Sequence, residues 1–144
     1  MFEVAESVTI RRPVEQLFDI AADPVTQLKW DPGTLQRVEK LSEGPLGVGA
    51  RYRGSFKRFG TVEYEYVQYE PALRFSHDAD MRAMGHIHHS FEFEPVAEGT
   101  RLTQRIQVEP SGVGRVMAPL MKPMLRRRMQ VIDAELKEYA ESPH

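Results

Sequence analysis

The feature that most limits what this chain can fold into is the order of its periodicities. Strand-like segments run almost unbroken through the middle, and one long amphipathic helix, from about Gly114 to Glu141, closes the chain. Leu125, Met129, Ile132, Leu136 and Tyr139 recur at three-to-four spacing, while Arg126, Arg127, Lys137 and Glu138 fall mostly on the other side, so one helix face is buried and the other wet. Pro119 and Pro123 each remove a backbone donor, which predicts a kinked entry and a regular helix from near Pro123. A helix with one apolar stripe closes over a curved sheet, and such a closure can leave a cavity.

Ahead of that helix, Phe2 to Ile10 alternates like a strand, although Glu6 falls in its apolar register. Pro13 suits the start of a helix, and Val14, Leu17, Phe18 and Ala21 make one inward stripe that stops before Pro24. A second short helix over Thr26 to Trp30 ends at the Asp31-Pro32-Gly33 turn. Strand alternation then covers 35–41, 50–57, 61–69, 73–79, 86–94 and 101–109, with Phe59-Gly60 and Glu98-Gly99 as the clearest hairpin turns. Short connections make sequence neighbours into sheet neighbours, so the expectation is one curved antiparallel sheet of seven strands in an α+β domain spanning residues 1–144.

Charge and composition exclude several functions. Nineteen Lys plus Arg against twenty-one Asp plus Glu give a net charge of −2 and no electrostatic case for a nucleic-acid partner. Without cysteine there is no disulfide scaffold, thiolate zinc site or cysteine nucleophile, so the hydrophobic core carries the fold. No apolar stretch reaches the length of a secretory or membrane-spanning segment, and the expectation is a cytoplasmic protein with no stable membrane insertion.

Several segments then carry a family resemblance across nearly the whole chain. They are Arg12-Pro13-Val14-Glu15-Gln16-Leu17-Phe18 after the first strand, Ala22-Asp23-Pro24, Trp30-Asp31-Pro32, and the Gly44–Gly49 stretch leading into Arg51. Tyr69-Glu70-Pro71, Phe93-Glu94-Pro95 and Glu98-Gly99-Thr100-Arg101-Leu102-Thr103 follow in the same order. In these the chain resembles the SRPBCC superfamily, related to START and Bet v proteins, in its polyketide cyclase/dehydrase and lipid-transport branch. The resemblance implies a helix-grip fold, with a seven-stranded sheet wrapped round the C-terminal helix and a hydrophobic cavity between them. It carries no catalytic signature, and relatives of the fold include carriers, cyclases, receptors and co-chaperones.

Alternation assigns the cavity face, because residues two apart share one side of a strand. Leu73, Phe75 and His77 point inward, as do Ile87, His89, Phe91 and Phe93, then Leu102, Gln104, Ile106 and Val108. Tyr52, Gly54 and Phe56 face the same way, and so do Val62, Tyr64 and Tyr66 if Glu63 and Glu65 face water. If the hairpin loop is odd and centred near Ala83, His77 sits directly opposite His89; an even loop breaks that pairing. Trp30 either lines the cavity mouth or packs in the core, and Met117, Met121 and Met124 are either an adaptable lining or ordinary core.

Two functional readings follow. The first is binding of a small hydrophobic molecule (a lipid, polyketide or aromatic compound), with the two histidines either satisfied in the core or orienting a ligand hydroxyl or carbonyl. The second is a cofactor-independent cyclase, dehydratase or isomerase in which His77, His89 or Tyr64 moves a proton. His86 and His88 share a face but lack a third ligand, so no metal is expected. Arg126, Arg127 and Arg128 read as a solvated helix face, with docking on a membrane surface or a carboxylate as the alternative.

Overall fold

The computed structural model describes residues 1–81 and 84–142. Strand β1 (Phe2–Ile10) leads into α1 (Val14–Ala22) and α2 (Pro24–Trp30). Strands β2 (Leu35–Lys40), β3 (Arg51–Phe56), β4 (Gly60–Glu70), β5 (Arg74–Met81), β6 (Gly85–Val96) and β7 (Gly99–Glu109) follow, and α3 (Val113–Glu141) ends the described chain. The strands form one antiparallel sheet in the order β1-β7-β6-β5-β4-β3-β2, a meander in which only β1 has crossed to the far edge beside β7.

Proline chemistry sets the two short helices. Pro13 caps α1 and Pro24 opens α2, where a missing N–H costs nothing, and the Asp23 side chain accepts from Val25 N at 2.9 Å. The late carbonyls of α1, which have no partner within their helix, are taken from outside. Trp30 Nε1 donates to Ile20 O at 3.2 Å and the Tyr66 hydroxyl donates to Ala22 O at 2.7 Å, pinning the helix pair to the sheet.

Two clusters make the core. Under α1 and α2, Phe18 meets Phe75 edge-on with centroids 5.7 Å apart and Phe93 at 5.2 Å, joined by Leu17, Trp30, Tyr66 and Leu136. Each such side chain, fully buried, stabilises the fold by about 1.5–3 kcal/mol. At the other end Val4, Ile106, Val108, Met121, Leu125 and Met129 pack α3 on the sheet.

Two expectations change. α3 is helical from Val113, through both prolines, rather than from Pro123. Pro119 and Pro123 lie on its exposed side, where the carbonyls they leave unbonded are not shut away in the core. Leu73 does not point inward: it stands in the turn before β5, its carbonyl accepts from Phe93 N, and its side chain is exposed. The centre of the β5–β6 loop at Ala83 lies outside the described residues, but the pairs on either side, Met81 with Gly85 and His77 with His89, hold the expected register. Among the described residues no helix is long and apolar enough to cross a membrane.

Candidate functional site

The concave face of the sheet and α3 enclose a cavity of about 150 Å³, walled by the side chains of β3 to β7 on one side and by Leu125, Arg128 and Ile132 on the other. Trp30, Phe56, Tyr64, Tyr66, Phe75, His77, His89 and Phe91 all line it. Alternation places each strand residue there, and the cross-strand pairs Tyr66 with His77 and His77 with His89 set three polar rings in a row. Outside this chamber lies a vestibule of about 530 Å³, bounded by Lys57, Arg58, Met124, Arg127 and Val131. Phe59, Met81, Met84 and Arg128 line both spaces and form the neck between them.

Other expected lining residues lie elsewhere. Tyr52 is buried but stacks behind Tyr64 with centroids 5.9 Å apart, outside the chamber wall. Gln104 stands behind His89 and reaches the chamber only through it. Met121 packs in the core with Val4 and Met129, Met117 is exposed, and Met124 borders the vestibule instead of the chamber. For Met117 and Met124 the reason is the phase of α3, whose positions 121, 125, 129 and 132 face the sheet while 117 and 124 lie on a different side. Met121 faces the sheet but packs in the second core cluster, outside the chamber.

That same phase corrects the reading of the arginine run. Arg126 bonds Glu6 at 3.2 Å, which explains the acidic residue in the apolar register of β1. Arg128 turns inward to the buried Asp31 carboxylate at 2.5 Å and to Thr34 Oγ1 at 3.2 Å. Spacing sets position 128 at the edge of the stripe that holds Leu125 and Ile132, but the inward turn of its guanidinium to Asp31 is a product of the packed helix. Of the neck residues, Met81 ends β5 in the same inward register as Phe75, His77 and Ala79, two residues past the expected strand end. Met84 stands in the turn, a place that strand periodicity does not assign to any face.

The polar rings are electrically neutral at pH 7. Burial, then the neighbouring His89 and His88, hold His77 well below the usual histidine range. Burial likewise lowers His89 to about 4, against the opposing effect of its hydrogen bond to Gln104. Tyr64 and Tyr66 are raised by burial, so both stay as phenols. Behind the wall, burial raises Asp133 to about 6, and burial with the adjacent Asp31 raises Glu135 to about 7.

On the outer sheet face, His86 and His88 are occupied by carboxylates. His86 Nδ1 lies 2.7 Å from Asp80 and Nε2 3.4 Å from Asp78, while His88 Nδ1 lies 2.5 Å from Asp78. Among the described residues no three His, Cys, Asp or Glu side chains converge as a metal site.

A seven-stranded sheet gripping a long C-terminal helix over an apolar chamber defines the helix-grip class of the SRPBCC superfamily. Residues 1–141 match the family described as polyketide cyclase/dehydrase and lipid transport, and the chain belongs to it. Among solved structures, the di-domain ARO/CYC protein BexL from the BE-7585A biosynthetic pathway superposes with a TM-score of 0.80 at 17% identity. That match covers 99% of this chain and 51% of BexL, so the chain spans about half of the di-domain protein. Ara h 8.0201 superposes at 0.75 with 14% identity and 99% of each chain covered. Protein MLL2253 from Mesorhizobium loti does so at 0.73 with 17% identity and 95% of each chain covered. At these identities the likeness is one of fold. No curated protein matches the chain in sequence.

Proposed function

We propose that this protein binds a small hydrophobic molecule between its sheet and its C-terminal helix, with a ring-sized apolar part in the inner chamber and the remainder in the vestibule. The observation that carries this reading is the chamber itself. A void of about 150 Å³ lined mostly by aromatic and aliphatic side chains is of the size that accepts a benzene-sized guest. Of its polar groups His77, His89 and Tyr64 are uncharged, and the Arg128 charge is paired with Asp31, which suits an apolar guest with one polar substituent. A fused polycycle exceeds the chamber alone and would need the neck at Met81 and Met84 to open, which flexible methionines allow.

The family description, with its lipid transport and cyclisation, agrees with such a guest. The test is native mass spectrometry of protein purified gently from its own host, with organic extraction of whatever leaves on denaturation. A stoichiometric hydrophobe is the expected result; protein that is empty from its host and takes up no small aromatic in titration would end the reading.

A second reading is a cofactor-independent cyclase or dehydratase. What favours it is the presence in one chamber of two imidazoles that are free of a proton at pH 7 beside the Tyr64 phenol, although burial that lowers both histidines makes them weak bases until a substrate's charge raises them. Once a substrate is known, unaltered turnover by His89→Ala and His77→Ala would remove both from any mechanism.

A further inference from the structure

A histidine facing a bound molecule can either accept a hydrogen bond from a hydroxyl or donate one to a carbonyl, and the groups behind His89 choose between these. Gln104 on β7 is fully buried. Its Nε2 faces two oxygens of α3, Asp133 Oδ1 at 2.5 Å and the Met129 carbonyl at 3.4 Å, and its Oε1 lies 2.9 Å from His89 Nε2.

The opposite amide orientation would set an oxygen against two oxygens and leave Nε2 to face His89. The Met129 carbonyl accepts whatever the protonation of Asp133, so that orientation stays unfavourable when the carboxyl takes a proton. With Oε1 toward the imidazole, His89 Nε2 must carry a hydrogen, because an amide oxygen only accepts. A neutral imidazole has a single N–H, so Nδ1 is left with its lone pair. Nδ1 has no protein hydrogen bond among the described residues, and His89 lines the chamber between His77, at a centroid distance of 5.3 Å, and Phe91, at 4.4 Å.

We propose that Gln104 is a specificity-determining residue: by holding His89 as its Nε2–H tautomer it makes the chamber present a hydrogen-bond acceptor, so the preferred guest is a small apolar ring bearing a hydroxyl donor, not a carbonyl. This rests on the chamber being a ligand site. The hydroxyl hydrogen goes to His89 Nδ1 and the hydroxyl oxygen accepts from a phenol donor such as Tyr64 in the same chamber. A carbonyl, which only accepts, gains the Tyr64 bond alone and is one hydrogen bond poorer. Gln104 itself touches no guest; it acts through His89.

Two measurements test this. Long-range proton–nitrogen NMR of the unliganded wild-type protein at pH 7 is expected to find His89 with a protonated Nε2 and a bare Nδ1; a protonated Nδ1, or an even mixture, overturns the assignment. Calorimetric titration with phenol, benzaldehyde and benzene is expected to rank phenol about tenfold above benzaldehyde, the worth of one hydrogen bond. In Gln104→Leu that preference is expected to fall below about threefold while benzene binding persists, which a merely structural role would not produce. Equal or better binding of benzaldehyde by wild type overturns this inference and leaves the binding reading standing. Failure of all three probes overturns both. The NMR result needs no variant, so a Gln104→Leu protein that failed to fold would still leave the tautomer decided.

Discussion

Arg128 Nη2 and Asp31 Oδ2 lie 2.5 Å apart, with the carboxylate fully buried and the guanidinium side chain 13% exposed. Gln27 Nε2 donates to the same carboxylate at 3.0 Å, and Arg128 also bonds Thr34, so one charged pair locks α3 to the junction of α2 and β2. It stands at the neck of the cavity, with the arginine in the wall of both the chamber and the vestibule.

Breaking that pair leaves one buried charge without its partner. Arg128→Met is expected to destabilise the fold by about 3–5 kcal/mol, and the double change with Asp31→Leu to recover much of the loss, because burying two charges costs much of what their attraction returns. Urea unfolding of the single and double variants measures both effects. A single-variant loss below about 1 kcal/mol would mean that the pair is effectively solvated.

Filling the chamber separates binding from folding. Ala79 lines the empty space on β5, and Ala79→Leu puts side-chain atoms where a guest would sit. Stability is expected to stay within about 1.5 kcal/mol of wild type, since the added atoms enter a void. Benzene or phenol affinity is expected to fall at least about tenfold, a loss of about 1.4 kcal/mol. Undiminished affinity in calorimetry would place the guest somewhere other than this chamber.

Acid should weaken the fold through His89. Its folded value of about 4 lies below the ordinary 6.5, so between those values the unfolded chain binds a proton that the folded protein refuses. Stability therefore drops as pH falls from about 6.5 toward 4, by on the order of 1–2 kcal/mol at pH 5 from this group. Asp133 works the other way: raised from 3.8 to about 6, it costs stability when ionised and returns it as pH falls through 6. His89→Phe removes the first effect and keeps the second. Urea midpoints at pH 7 and pH 5 are expected to decline less on acidification in the variant than in wild type; equal declines would show that His89 is not the titrating group.

The turn between β6 and β7 requires a glycine. Gly99 has φ +141°, and a Cβ there would lie 2.3 Å from the Ile10 carbonyl oxygen and 2.8 Å from Arg12 N. Gly99→Ala is expected to cost more than about 2 kcal/mol by strain and displacement. Gly60, at φ +76° with open space around it, supplies the control: Gly60→Ala pays only the left-handed backbone penalty of about 1–2 kcal/mol. Thermal denaturation of the two variants side by side reads the difference.

Much of the fold is legible in the sequence, because the signals that specify it are local. Period-two runs separated by glycine turns yield the strand order, and of the two loop parities left open between β5 and β6 the structure has the odd one that pairs His77 with His89. Apart from Trp30 on α2, the candidate site is legible only on its sheet side. Tyr64, Tyr66, Phe75, His77, His89 and Phe91 follow from alternation, whereas Met117, Met121 and Met124 all miss the chamber despite suitable chemistry. Pleat direction follows from residue parity, but the part of a helix that meets a cavity depends on its rotation about its axis, which packing decides.

The sequence by itself determined the order of the elements, one antiparallel sheet followed by a long amphipathic helix, and most of the inward set of strand residues. Each follows from periodicity along neighbouring residues, while the helix-grip wrapping is what the family resemblance implied. Only the tertiary structure decided that, of three consecutive arginines, Arg128 meets Asp31 across 97 residues of chain. It also decided that Gln104 reaches from His89 to Asp133, and that the chamber holds about 150 Å³. The physical reason is the same in each case: the phase and depth at which α3 settles on the sheet are set by the close packing of the whole core, and no local run of residues specifies them.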